Sequence, residues 1–169
     1  MTVDITLDLI KELRERTGAG VMDCKRALEK TEGDLDKAVE VLAEQGIASA
    51  MKKANRETAQ GLVESYIHAG RIGAIVEVNC ETDFVARTEE FKELAHNLAM
   101  QVVAANPKVV SEQELRDGET TLPTEMVLML QPYIKDPTKS IRQLINETIG
   151  KTGENIVVRR FSRLELGQE

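Results

Sequence analysis

Residues 62–80 read LVESYIHAGRIGAIVEVNC, and this stretch decides the fold. Ala74, Val76, Val78 and Cys80 alternate onto one face, with Glu77 and Asn79 on the other. A period of two is that of a half-buried strand. Leu62 to His68 forms a second such run, joined to the first by Ala69-Gly70-Arg71, a connection short enough for a hairpin. The pair leaves one apolar face that something else must cover.

Downstream the period lengthens. Phe91, Leu94, Ala95, Leu98 and Val102 recur at helical spacing. Thr88 is placed to cap this helix, and Glu89 and Glu90 sit in its first turn, where the helix dipole favours anions. Residues 106–125, NPKVVSEQELRDGETTLPTE, read as a polar loop with one helical turn, and Met126 to Leu130 is a short apolar run. A further helix is expected after Asp136-Pro137-Thr138, with Ile141, Leu144, Ile145 and Ile149 on one face and Gly150 and Gly153 closing it. Asn155 to Phe161 reads as a returning strand, followed by an acidic tail. Hairpin, helices and returning strand describe an α+β fold, a small antiparallel sheet with helices on one side.

Upstream, three short helices are expected. Leu9, Ile10 and Leu13 share a face behind a Thr6 cap, and the pattern stops at Thr17-Gly18-Ala19-Gly20. Val21, Cys24 and Leu28 mark the second helix, which Gly33 stops. Asp34 caps the third, with Leu35, Ala38, Val39 and Leu42 inward and Gly46 at its end. The division that follows is 1–46 for a three-helix module, 47–58 for an Ala-rich basic connector and 59–169 for the α+β core. Three helices in so few residues give a core near the lower size limit for independent folding. Such a module is suited to presenting a small apolar patch rather than to enclosing a reaction.

Composition narrows the function. The chain has 169 residues, 41% hydrophobic and 30% charged, as in globular proteins. A net charge of −7 and a pI near 5.1 argue against nucleic acid as the direct partner, because phosphate contacts call for a basic surface. Cys24 and Cys80 belong to no CxxC pair, so they read as small buried apolar residues in a reducing compartment. No apolar run approaches a membrane span, and the N-terminal segment lacks a signal-peptide apolar stretch, so a cytoplasmic protein is expected. There is no GxxxxGK[ST] loop, no GxGxxG after a strand and no metal-ligand spacing, so neither cofactor nor metal is expected. His68 and His96 have no Ser, Cys or second His near them in sequence.

The junction Asn79-Cys80-Glu81-Thr82-Asp83-Phe84-Val85-Ala86-Arg87 lies between the end of a strand and the start of a helix, where loops on a rigid scaffold often carry function. Two readings stay open. Thr82 or Asp83 is a helix cap and Phe84 folds into the core, or Phe84 is an exposed anchor beside a carboxylate, the kind of pair that dominates an interface.

Three stretches of this sequence closely resemble the elongation factor Ts family, the guanine-nucleotide exchange factors of elongation factor Tu. They are LIKELRERTGAGVMDCK at 9–25, VEVNCETDFVAR at 76–87, and QPYIKDP at 131–137 with GENIVVRRF at 153–161, in family order. The resemblance implies a ubiquitin-associated-like three-helix domain followed by a core with a three-stranded antiparallel sheet. It assigns Thr82, Asp83, Phe84 and Val85 to a loop pushed into the nucleotide domain of elongation factor Tu, displacing the Mg²⁺ that helps hold GDP. It makes Leu13, Val21 and Met22 docking contacts to the same GTPase domain. Between Asn106-Pro107 and Gln131-Pro132 the family usually has a longer segment, so this is a short-type member, and such members tend to pair as homodimers. Two other readings come from different classes: an adaptor that binds peptides or ubiquitin-like partners through the three helices, and an RNA-binding accessory using Lys52, Lys53, Arg56, Arg159 and Arg160.

Overall fold

In a computed structural model, residues 5–115 and 124–168 are described. Helix α1 (Leu7–Thr17) starts at Thr6, whose hydroxyl accepts from the Leu9 N–H. It ends at Gly18, whose φ of 65° belongs to the left-handed region that glycine adopts without strain. Helix α2 (Val21–Lys30) follows, and then α3 (Leu35–Lys53), capped by the Asp34 carboxylate on the Lys37 N–H. Ile10, Leu13, Cys24, Ala27, Leu28 and Ala38 form one buried cluster at the centre of the three helices.

Helix α3 does not stop at Gly46 as the sequence suggested. It runs through the expected connector to Lys53, because Gly46 faces another helix instead of turning the chain. A Cβ at Gly46 would lie 3.6 Å from the Asn146 carbonyl oxygen, an ordinary contact distance, so this face of α3 packs on another helix. Val21 also departs from its expected place. It stands exposed at the first turn of α2, while Cys24 and Leu28 are fully buried.

Strands β1 (Gln60–His68) and β2 (Ile72–Cys80) form the expected antiparallel hairpin, with Tyr66 opposite Ala74 and Leu62 opposite Val78. Asp83–Ala86 forms a one-turn helix, α4, with Thr82 as its cap. Helix α5 (Glu89–Ala105) begins at Thr88, whose hydroxyl accepts from the Phe91 N–H. After short 3₁₀ turns, the paired β3 (Pro132–Tyr133) and β4 (Asp136–Ser140) lead into α6 (Ile141–Thr152). Its cap is a box in which Ser140 and Gln143 satisfy each other's backbone N–H groups. Gly150 lies inside α6, against Gly46, and Gly153 alone ends the helix with φ of 75°. Strand β5 (Ile156–Glu165) continues past Phe161 through most of the expected tail, because it pairs with β2 along its full length.

The three-stranded antiparallel sheet has the order β1-β2-β5. Its inner face, Ala74, Val76, Val78, Cys80, Ile156 and Val158, packs with Phe91, Leu94, Leu98 and Val102 of α5 and with Ile141, Ile145 and Ile149 of α6 in one buried core. At the stretch expected as a loop over 106–125, Val109 bridges Val127, and the Gln131 side chain donates to the Ala105 and Glu125 carbonyls. Residues 116–123 of that loop lie outside the described residues.

Candidate functional site

The site is built at the end of the central strand. Cys80 is the last buried residue of β2, and its thiol donates to the Thr82 carbonyl at 3.1 Å. Burial pushes this thiol up to about 11, and the nearby Glu154 and Glu81 carboxylates add to the effect. It is therefore a neutral packing group at physiological pH, not a nucleophile.

Beyond Cys80 the chain turns sharply into α4. The Thr82 hydroxyl caps that turn by accepting from the Val85 N–H at 3.3 Å. Val85 and Ala86 point into the core and anchor the turn from below. One helical turn cannot bury every side chain, and the opposite face carries Asp83 and Phe84 outward. Phe84 is 79% exposed, which excludes the reading in which it folds into the core. The Asp83 carboxylate pairs with the Arg87 guanidinium at 3.1 Å, an exposed pair that solvent screens.

The loop is held from the side by the turn between α6 and β5. One carboxylate oxygen of Glu154 accepts from the Glu81 and Thr82 N–H groups, each at 3.0 Å, and the other accepts from the Thr82 hydroxyl at 2.6 Å. In return the Glu81 carboxylate accepts from the Asn155 N–H at 2.7 Å. Sequence reasoning did not single out Glu154 or Asn155. The only signal was their place in the 153–161 stretch that resembles the family.

The expected docking residues separate. Met22 is 62% exposed and Val21 47%, side by side at the start of α2. Leu13 is completely buried at the centre of the three-helix cluster and presents no surface for a partner. Leu7 is 74% exposed on α1 and was not anticipated. His68 and His96 lie elsewhere, on the sheet edge and α5. His68 contacts the Tyr66 hydroxyl at 3.1 Å and His96 faces the Glu64 carboxylate at 3.8 Å. Among the described residues, no group of three His, Cys, Asp or Glu side chains could hold a metal ion. Nor is any described helix long and apolar enough to cross a membrane.

Residues 11–124 match the family described as Elongation factor TS. This chain belongs to the elongation factor Ts family. It is 47% identical to elongation factor Ts of Thermotoga neapolitana, in an alignment covering 99% of this chain and 100% of that one. The elongation factor Ts of Thermoanaerobacter pseudethanolicus is 46% identical, over 97% of this chain and 96% of the other. That of Herpetosiphon aurantiacus is 44% identical, over 98% and 99%. The alignment with the Thermotoga relative spans 196 residues against 169 here, so elongation factor Ts of that organism has segments that this chain lacks. A role as a translation elongation factor follows from membership of the family.

Proposed function

We propose that this chain docks onto the GTPase domain of elongation factor Tu carrying GDP, displaces Mg²⁺ and promotes GDP release so that GTP can bind. It does so by binding alone, with no reaction of its own, and it works in the cytoplasm. The observation that carries the reading is Phe84, 79% exposed beside Asp83 on a turn anchored by Val85 and Ala86. An aromatic left in water on a rigid support has its burial still to gain from a partner.

An exchange factor must bind the nucleotide-free state of its partner better than the GDP state, and the coupling is reciprocal. Loosening GDP by about 1,000-fold needs about 4 kcal/mol of differential binding. Burying one Phe contributes about 2–3 kcal/mol, so further contacts are required. The Val21–Met22 patch on the three-helix module supplies a second surface, and Asp83 a charge that competes for polar groups near the metal. Residues 1–46 carry the docking function and 59–169 the exchange function in this proposal. The RNA-binding alternative is weakened by Glu77, whose carboxylate lies 2.7 Å from Arg160 and 4.0 Å from Arg159.

A homodimer is part of the same proposal. The outer face of the sheet carries Val63, Ile67, Ile75, Val157 and Leu164, all at least 40% exposed, on three neighbouring strands. A second copy that covers this face would bury an apolar surface of the kind solvent leaves uncovered at interfaces.

The deciding experiment is release of fluorescently labelled GDP from elongation factor Tu with and without this protein. Acceleration at substoichiometric amounts is the expected result, and an unchanged rate overturns the reading.

A further inference from the structure

Three separate parts of the chain converge beside the Asp83-Phe84 turn. The end of β2 brings Glu81 and Thr82, and the turn after α6 brings Glu154 and Asn155. The residues that follow α3 bring the Ala54 and Arg56 carbonyls, which accept from the Asn155 side chain at 3.4 and 3.0 Å. The Arg56 guanidinium closes the group at 3.5 Å from the Glu81 carboxylate. Asn155 is 4% exposed, and its backbone N–H and its side-chain NH2 both donate, so it ties the three segments together.

We propose that Glu154 is a positioning residue for nucleotide exchange: its carboxylate holds the Glu81–Thr82 backbone so that Phe84 and Asp83 are presented preformed, and Asn155 ties that brace to the end of α3, the long helix of the docking module. This rests on the exchange reading above. The floor of the turn is set by Val85 and Ala86, which pack into the core independently of Glu154. What Glu154 adds is at the entry. It occupies two backbone N–H groups and the cap hydroxyl with one charged acceptor, and charge-assisted hydrogen bonds of this kind are the strong ones. Without it the segment would have to be ordered during insertion, and that cost would be drawn from the binding energy meant for GDP displacement. Because Asn155 joins the brace to α3, the Val21–Met22 patch and the Phe84 wedge are set on one rigid frame, and docking of the first directs the second.

Amide hydrogen exchange and GDP release together test this. In the wild-type chain the Glu81 and Thr82 amides should be protected, and exchange as fast as in an open loop overturns the proposal without any variant. In Glu154→Ala both amides should exchange at least about tenfold faster, the scale of a lost charge-assisted hydrogen bond. Its maximal GDP-release rate should fall by about tenfold for the same reason, while the half-saturating concentration moves by less than about threefold. Glu154→Gln keeps an oxygen for the two N–H groups and should restore most of the rate. Glu154→Ala should cost little more in a Phe84→Ala background, since the brace acts through the wedge. Equal losses in both backgrounds mark a purely structural role and overturn the proposal. Absence of acceleration by the wild-type chain overturns the exchange reading and Glu154's part in it. Accelerated release with Glu154→Ala unimpaired overturns the role of Glu154 alone.

Discussion

Gly46 of α3 and Gly150 of α6 lie against each other, so that a Cβ built on Gly150 would stand 3.9 Å from the Gly46 Cα. The contact joins the long helix of the N-terminal module to the core. It also explains why a glycine that reads as a helix stop sits inside a helix. A Cβ at Gly46 meets the Asn146 carbonyl at 3.6 Å, an ordinary contact. Gly46→Ala should therefore stabilise the protein by about 0.5–1 kcal/mol through lower unfolded-state entropy. Gly46→Leu has no such room and should cost about 1–3 kcal/mol. Urea unfolding of the two variants checks the opposite signs, and a destabilising alanine would show that α6 leaves no room for a Cβ at this position.

Gly61 presents the contrary case. Its φ is 147°, and a Cβ there would lie 2.1 Å from the Val78 carbonyl oxygen. Both the backbone conformation and the neighbouring strand exclude a side chain. Gly61→Ala should cost about 3 kcal/mol or more, the range of strained backbone plus a core clash. A melting temperature within a degree or two of wild type would reject this.

Phe84→Ala should leave stability within about 0.5 kcal/mol, as for an exposed residue. The same change should lower GDP release from elongation factor Tu by at least about tenfold, since about 2–3 kcal/mol of burial in the complex is lost. Asp83→Ala should act in the same direction, with its Arg87 pair contributing little to the fold. A large drop in melting temperature with unchanged release per folded molecule would remove both residues from the proposed wedge.

Cys80 predicts a pH dependence. Its folded pKa is raised, to about 11, so the neutral thiol is favoured in the folded chain. The stability this represents is intact below the unfolded thiol pKa and declines as pH rises toward 11, because the unfolded chain releases its proton first. Cys80→Ala should be less stable at neutral pH and show a shallower alkaline decline. An identical pH profile for both proteins would place the titration elsewhere.

Self-association through the outer face of the sheet predicts a dimer at micromolar concentration, with no disulfide, since Cys24 and Cys80 are free and buried. Ile75 lies on the central strand of that face, and Ile75→Lys should give a folded monomer because a buried unpaired charge is costly. Sedimentation of the wild-type chain near 18.8 kDa would reject the dimer.

Much of this architecture was legible because it depends on neighbours in sequence. The alternation of Ala74, Val76, Val78 and Cys80 and the helical spacing of Phe91, Leu94 and Leu98 are local periods, and all seven residues are buried where those periods place them. Thr6, Asp34 and Thr88 cap the helices they were expected to cap, because a cap is a contact with a backbone N–H three residues away. The sequence also carried the family resemblance. What it left open was decided by partners distant along the chain. Helix α3 continues through Gly46 because α6 lies against it, and β5 extends to Glu165 because β2 supplies its hydrogen bonds. Leu13 lies on the buried side of its helix and Met22 on the exposed side of the next, a distinction that depends on how three helices pack. The sequence allowed Phe84 to be either core or anchor. Val85 and Ala86 take the interior side of a single turn, Glu154 fixes its entry from the other end of the domain, and Phe84 is left outside.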